Sequence, residues 1–171
     1  MKYLAILLLS GSLNTQAGTP STKVPKPQTT IGQIVNSQQF SIKALSAQPA
    51  EEANSILRSM YPNVNNNVVQ LTGSVYYSVK VYPDKLDVHL PYFGRSYSPV
   101  SGTGGDPGYK FTSTNYEYTV EEKKGVYSIM LKPLDHKDIN KIYITVFGNG
   151  SATIRVISNS RSAISYQGVI Q

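Results

Sequence analysis

The chain has 171 residues, 40% of them hydrophobic, and a formal charge of +6 at neutral pH, enough for one domain with a buried core and short of two of ordinary size. It contains no cysteine, which excludes disulfides, thiolate metal sites and a cysteine nucleophile. The basic residues are scattered rather than gathered in a stripe with interleaved aromatics, so nucleic acid is not an expected partner.

Residues 1–17 have the order of a secretory signal peptide: Lys2, the apolar run from Leu4 to Leu9, polar residues from Ser10 to Gln16, and the small Ala17. The apolar run is too short to span a bilayer, and no later stretch reads as a transmembrane segment. The expected product is exported, to the periplasm or out of the cell, and starts near Gly18. With no cysteine behind the apolar run, it is not expected to be a lipoprotein. Residues 18–30, rich in Pro, Thr, Ser and Lys, read as a disordered linker, and residues 31–171 as the folded domain.

Thr30-Ile31-Gly32-Gln33 has the form of a capping box, and Ile31, Ile34 and Val35 share one face, which predicts a short helix over residues 31–38. Phe40, Ile42 and Ala44 then alternate with Ser41 and Lys43, the period of a half-buried strand. Ala53, Ile56, Leu57 and Met60 return to helical spacing behind Glu51 and Glu52, and Tyr61-Pro62 stops that pattern, predicting a second short helix. The clearest hairpin comes next. Val75, Tyr77, Val79 and Val81 form its inward set, Pro83-Asp84 turns, and Leu86, Val88 and Leu90 return, with Tyr76, Ser78, Lys80 and Tyr82 on the outer face.

Leu90-Pro91-Tyr92-Phe93-Gly94-Arg95, followed by Ser96-Tyr97, reads as a structural corner. Pro91 has no N–H for a ladder and ends the strand. Gly94 is expected to supply a positive φ there, and the rings of Tyr92, Phe93 and Tyr97 to pack on different faces of the bend. The planar fork of Arg95 is expected to hold carbonyls that lose their partners at the bend, the alternative being that it clamps an anionic ligand. Residues 98–108 carry four glycines and two prolines without an apolar period and read as a long loop. A strand near Tyr109 to Ser113 follows. Hairpins then run from Tyr116 to Ile170, with turns at Lys123-Lys124-Gly125, Pro133 to Asn140, Gly148-Asn149-Gly150 and Asn159-Ser160-Arg161. The fold class is all-β: a single antiparallel meander of about nine or ten strands, curled into a half-barrel, barrel or sandwich, with one or two short N-terminal helices.

The corner, the early strand from Phe40 to Ala47, the aromatic strand near Phe111 and the ending Arg161, then Ile164-Ser165-Tyr166-Gln167-Gly168, resemble the bacterial domain of unknown function 4251 from Ile34 onward. The resemblance implies an exported protein of the cell envelope. It brings no catalytic residues with it, and the acylated cysteine of lipoprotein members is missing here.

Asp135-His136-Lys137-Asp138 has metal-ligand residue types, but neighbours in a loop cannot all point at one ion, and a solvated loop is the better reading. Asp87 and His89 share one strand face, where the carboxylate could orient the imidazole, yet no nucleophile context accompanies them. Residues 102–108 lack the lysine and the helix of a phosphate loop. The thirteen tyrosines are the more informative excess, since a tyrosine presents an apolar ring and a polar tip. No catalytic residue, metal or cofactor is expected. The favoured function is a non-catalytic module of the cell envelope that binds a small ligand or an envelope protein, with Tyr92, Arg95, Tyr97, Tyr76 and Tyr82 as candidate binding residues. The alternatives are a hydrolase whose carboxylates converge only in space and a structural envelope protein.

Overall fold

A computed structural model describes residues 30–50, 68–97 and 108–171. The elements are helix α1 (Ile31–Asn36) and strands β1 (Phe40–Pro49), β2 (Val69–Gln70), β3 (Ser78–Tyr82), β4 (Lys85–Leu90), β5 (Tyr109–Ser113), β6 (Tyr116–Lys123), β7 (Val126–Pro133), β8 (Ile139–Val146), β9 (Ser151–Ser158) and β10 (Ile164–Ile170). The signal peptide, the linker over 18–29, the second helix near 53–60 and the loop over 98–107 lie outside the described residues.

All ten strands of the described residues join one antiparallel sheet in the order β5-β4-β3-β1-β10-β9-β8-β7-β6, with β2 on β1. The class is the one expected, and the path departs from a single meander at one place. Strands β3 to β5 and β6 to β10 are two meanders, and β1 lies between them, paired with β3 from Phe40↔Val81 to Lys43↔Ser78 and with β10 from Ile42↔Ile170 to Pro49↔Ile164. An N-terminal strand thus joins the C-terminal one, which alternation along either strand alone does not encode.

The sheet curls into a nearly closed barrel whose edge strands, β5 and β6, are consecutive in the chain and separated by Thr114 and Asn115. Side chains of β6 bridge the seam. Tyr116 Oη donates to the Tyr82 carbonyl and Tyr118 Oη to the Val35 carbonyl of α1, the latter at 2.9 Å. The helix itself starts at the predicted capping box, with Gln33 N–H donating to Thr30 Oγ1 and Thr30 N–H to Gln33 Oε1. It buries Val35 and brings Gly32 against the Tyr127 hydroxyl.

Within the barrel, the inward sets of neighbouring strands meet: Ile42 and Ala44 from β1, Val79 and Val81 from β3, Leu86 and Val88 from β4, and Ile142, Ile144, Ile154 and Tyr166 from the C-terminal strands are all buried. This is the alternation expected of a sheet with one face in the core. The β6–β7 turn places Lys124 and Gly125 both at positive φ, 53° and 75°, the two-residue hairpin geometry whose twist matches the strands.

Two irregularities beside β1 shape the outer surface there. The β1–β10 register shifts between Ala44 and Ser46, and the extra residue, Leu45, points outward and is 42% exposed. Opposite it, β10 carries Gly168, where a Cβ would run into the Lys43 carbonyl. The second irregularity corrects the expected hairpin, because β3 starts only at Ser78. Ala44 N–H bonds the Tyr77 carbonyl and Leu71 N–H the Leu45 carbonyl, both at 2.9 Å, so residues 72–76 bow out opposite the bulge. Val75 is therefore 49% exposed rather than inward, while Ser78 lies on the outer face as expected, beside His89, but is covered there and only 4% exposed.

Candidate functional site

At the corner, β4 ends at Leu90 and Pro91 turns the chain, as its missing N–H requires. The residues after it fold onto the β9–β10 connection. Tyr97 N–H donates to the Ser160 carbonyl at 2.7 Å, Ser162 N–H to the Arg95 carbonyl at 2.9 Å, and Arg95 N–H to Ser162 Oγ at 3.1 Å. Tyr92 is buried beneath this strap, its hydroxyl donating to the Arg95 carbonyl at 2.6 Å and lying 2.9 Å from Ser162 Oγ. Tyr166 Oη donates to the Pro91 carbonyl at 2.6 Å.

Gly94 has no left-handed φ, which corrects the sequence expectation. It is a glycine because a Cβ would press on the Tyr92 ring and come within 2.7 Å of Ser162 Oγ.

The expected role of the Arg95 guanidinium is also corrected: Arg95 is exposed, and its backbone makes the corner bonds. The cation of the corner is Arg161, whose guanidinium carbon lies 5.1 Å from the ring centres of both Tyr92 and Tyr109, with Nη1 3.5 Å from the Gly108 carbonyl. Those two rings pack edge to face, 5.4 Å apart at 71°. Burial pushes the phenols of Tyr92, Tyr109 and Tyr166 up, against the pull of Arg161. Three buried tyrosines under a strap tied down by backbone bonds make a packing motif, in which the Tyr109 hydroxyl alone has no hydrogen-bond partner among the described residues.

A concave site lies instead on the outer face of β3, β4 and β5. Ladder register sets Lys80 beside Asp87 and Asp87 beside Thr112, and in the adjoining row Ser78 beside His89 and His89 beside Lys110. These side chains, with Tyr76 and Phe111, line a groove of about 550 Å³. Asp87 accepts from Thr112 Oγ1 at 2.7 Å and pairs with Lys85 at 3.5 Å. The His89 ring packs against Tyr77 at 5.2 Å. Asp87 and His89 therefore share a face, as their spacing implies, but each has a different partner, and the two cationic lysines dominate the charge.

Beside the groove a second depression, about 510 Å³, is lined by Lys43, Leu45, Leu71, Val75 and the small polar residues of the bowed segment. Tyr76 stands in the wall of both. It is 41% exposed, carries the Lys43 ammonium 5.3 Å from its ring centre, and bonds the Gln171 carboxamide through its hydroxyl.

The family model of a domain of unknown function, DUF4251, matches residues 25–170. The chain belongs to the DUF4251 family. No curated protein and no solved structure matches the chain. The corner, the groove and the second depression all lie within the DUF4251 match.

The candidate residues expected to form one rim are dispersed over this DUF4251 domain. Tyr92 is buried at the corner, while Arg95 and Tyr97 are exposed on the strap above it. Tyr82 sits at the opposite end of the β3–β4 hairpin, where its ring takes the Lys85 ammonium at 5.0 Å. Of the five, Tyr76 alone lines the groove. The tetrad from Asp135 to Asp138 is split as its loop position suggests: Asp135 caps the β5–β6 turn through Ser113 Oγ and Thr114 N–H, His136 Nε2 is 2.9 Å from the Thr112 carbonyl, and Asp138 accepts from the Ser158 and Ser160 hydroxyls. The Ser113 hydroxyl holds the Asp135 carboxyl below its ordinary range. The sequence places Lys80 on the outer face but singles out neither it nor Lys110 as a site residue; the register of three strands sets Lys80 beside Asp87 and Lys110 beside His89.

Proposed function

We propose that this domain is a non-catalytic ligand-binding module of the cell envelope, exported by its N-terminal signal, and that the outer groove over β3, β4 and β5 is its binding surface. The observation that carries this reading is Tyr76, an exposed ring standing between two depressions, each within the roughly 300–1,000 Å³ of small-molecule sites. Lys80 and Lys110 supply donors and charge beside it, and His89 adds an imidazole. A hydrolase would need converging acid and base groups. The groove offers one carboxylate, Asp87, already held by Thr112 and Lys85.

Titration with the fluorescent aromatic anion anilinonaphthalene sulfonate tests the reading. Wild type binds the probe, and Tyr76→Ala weakens binding about five- to tenfold, the loss expected for one aromatic contact. Equal affinity of the variant, or turnover of a p-nitrophenyl ester that Asp87→Asn abolishes, overturns it.

A further inference from the structure

The two depressions that share Tyr76 differ in chemistry. On one side the bulge turns Leu45 outward and the bowed segment exposes Val75, with half-buried Leu71 between the same elements. These three side chains give one depression an apolar floor and wall. On the other side are Lys80 and Lys110, with Asp87 paired to Lys85. Tyr76, apolar in its ring and polar at its hydroxyl, stands at the boundary, under the Lys43 ammonium.

Building on the groove as the binding surface, we propose that the ligand is a single-chain anionic amphiphile of the long-chain fatty acid type. Its hydrocarbon chain lies along Leu45, Leu71 and Val75, crosses the Tyr76 ring, and delivers its carboxylate to Lys80 and Lys110. Charge complementarity selects an anionic head, because charge-assisted bonds from ammonium to carboxylate are the strong ones. Size favours a lone chain over a bilayer, since the apolar side chains line an open depression of about 510 Å³, matched to one acyl chain, rather than a broad apolar face.

Calorimetric titration of the full exported domain with decanoate, dodecanoate and tetradecanoate below their micelle concentrations tests the proposal. Affinity should rise about fourfold per added methylene. Lys80→Gln combined with Lys110→Gln should weaken dodecanoate about tenfold and leave dodecanol unchanged. Val75→Asp, at a position 49% exposed and so compatible with folding, should flatten the dependence on chain length. Affinity independent of chain length, equal affinity for dodecanol and dodecanoate, or binding to phosphatidylglycerol vesicles without binding to the monomers would each overturn the proposal. Anilinonaphthalene sulfonate separates the two levels: if the probe still binds in a Tyr76-dependent way, only the ligand class has failed, and if it does not, the binding reading fails with it.

Discussion

The Tyr92 hydroxyl and Ser162 Oγ lie 2.9 Å apart, joining the corner after β4 to the connection before β10. A buried hydroxyl whose partner is removed leaves that partner unsatisfied, so Tyr92→Phe should cost about 1–3 kcal/mol, read as a lowered denaturant midpoint. Gly94→Ala should act on the same pair by displacing it. A midpoint unchanged in both variants would refute this account of the corner.

Arg95 and Arg161 should separate cleanly. Arg95→Lys leaves an exposed side chain exposed and the backbone bonds intact, so stability should stay within about 0.5 kcal/mol of wild type. Arg161→Lys loses the planar group beside two rings and should cost about 1–2 kcal/mol. The reverse ranking in urea would return the structural role to Arg95.

The close approach of Gly168 to β1 predicts that Gly168→Ala pushes the Lys43 carbonyl out of register with β10. Loss of about 1–3 kcal/mol is expected, the range for overpacking a tight contact. Amide exchange should rise first along β1 and β10. Uniform exchange would argue that the bulge tolerates a side chain.

Tyrosine burial sets the alkaline limit. Burial pushes the Tyr118 phenol up to about 12, and the Tyr92, Tyr109 and Tyr166 phenols are also raised. A phenol with a raised folded pKa keeps its proton while the unfolded chain loses it above about pH 10, so the stability it contributes is full below that pH and falls as pH rises toward the folded value. The denaturant midpoint should therefore decline above pH 10, and Tyr118→Phe should make the decline shallower between pH 10 and 12. Absorbance at the phenolate band follows the same titration.

Export is tested by N-terminal sequencing of protein from cell fractions. The mature chain should begin near Gly18 in the periplasm or medium, as the order Lys2, Leu4 to Leu9, Ala17 implies. Full-length protein starting at Met1 in the cytoplasm would refute it.

By itself the sequence determined most of the local elements and, except before β3, which face they turn to the core. Thr30 and Gln33 cap a helix, Lys124-Gly125 makes a tight turn, and Val79, Val81, Leu86 and Val88 are buried where their alternation puts them. These are outcomes of φ preference, capping and the two-residue period, all short-range. Only the tertiary structure decided that β1 enters between β3 and β10, that a bulge turns Leu45 outward, and that Arg161 rather than Arg95 lies against the corner tyrosines. It likewise decided the candidate site, since Lys80, Asp87 and Thr112 form one row and Ser78, His89 and Lys110 the next. The reason is that hydrogen-bonded register between distant strands sets which outward side chains become neighbours, and alternation along one strand is the same whichever strand lies beside it.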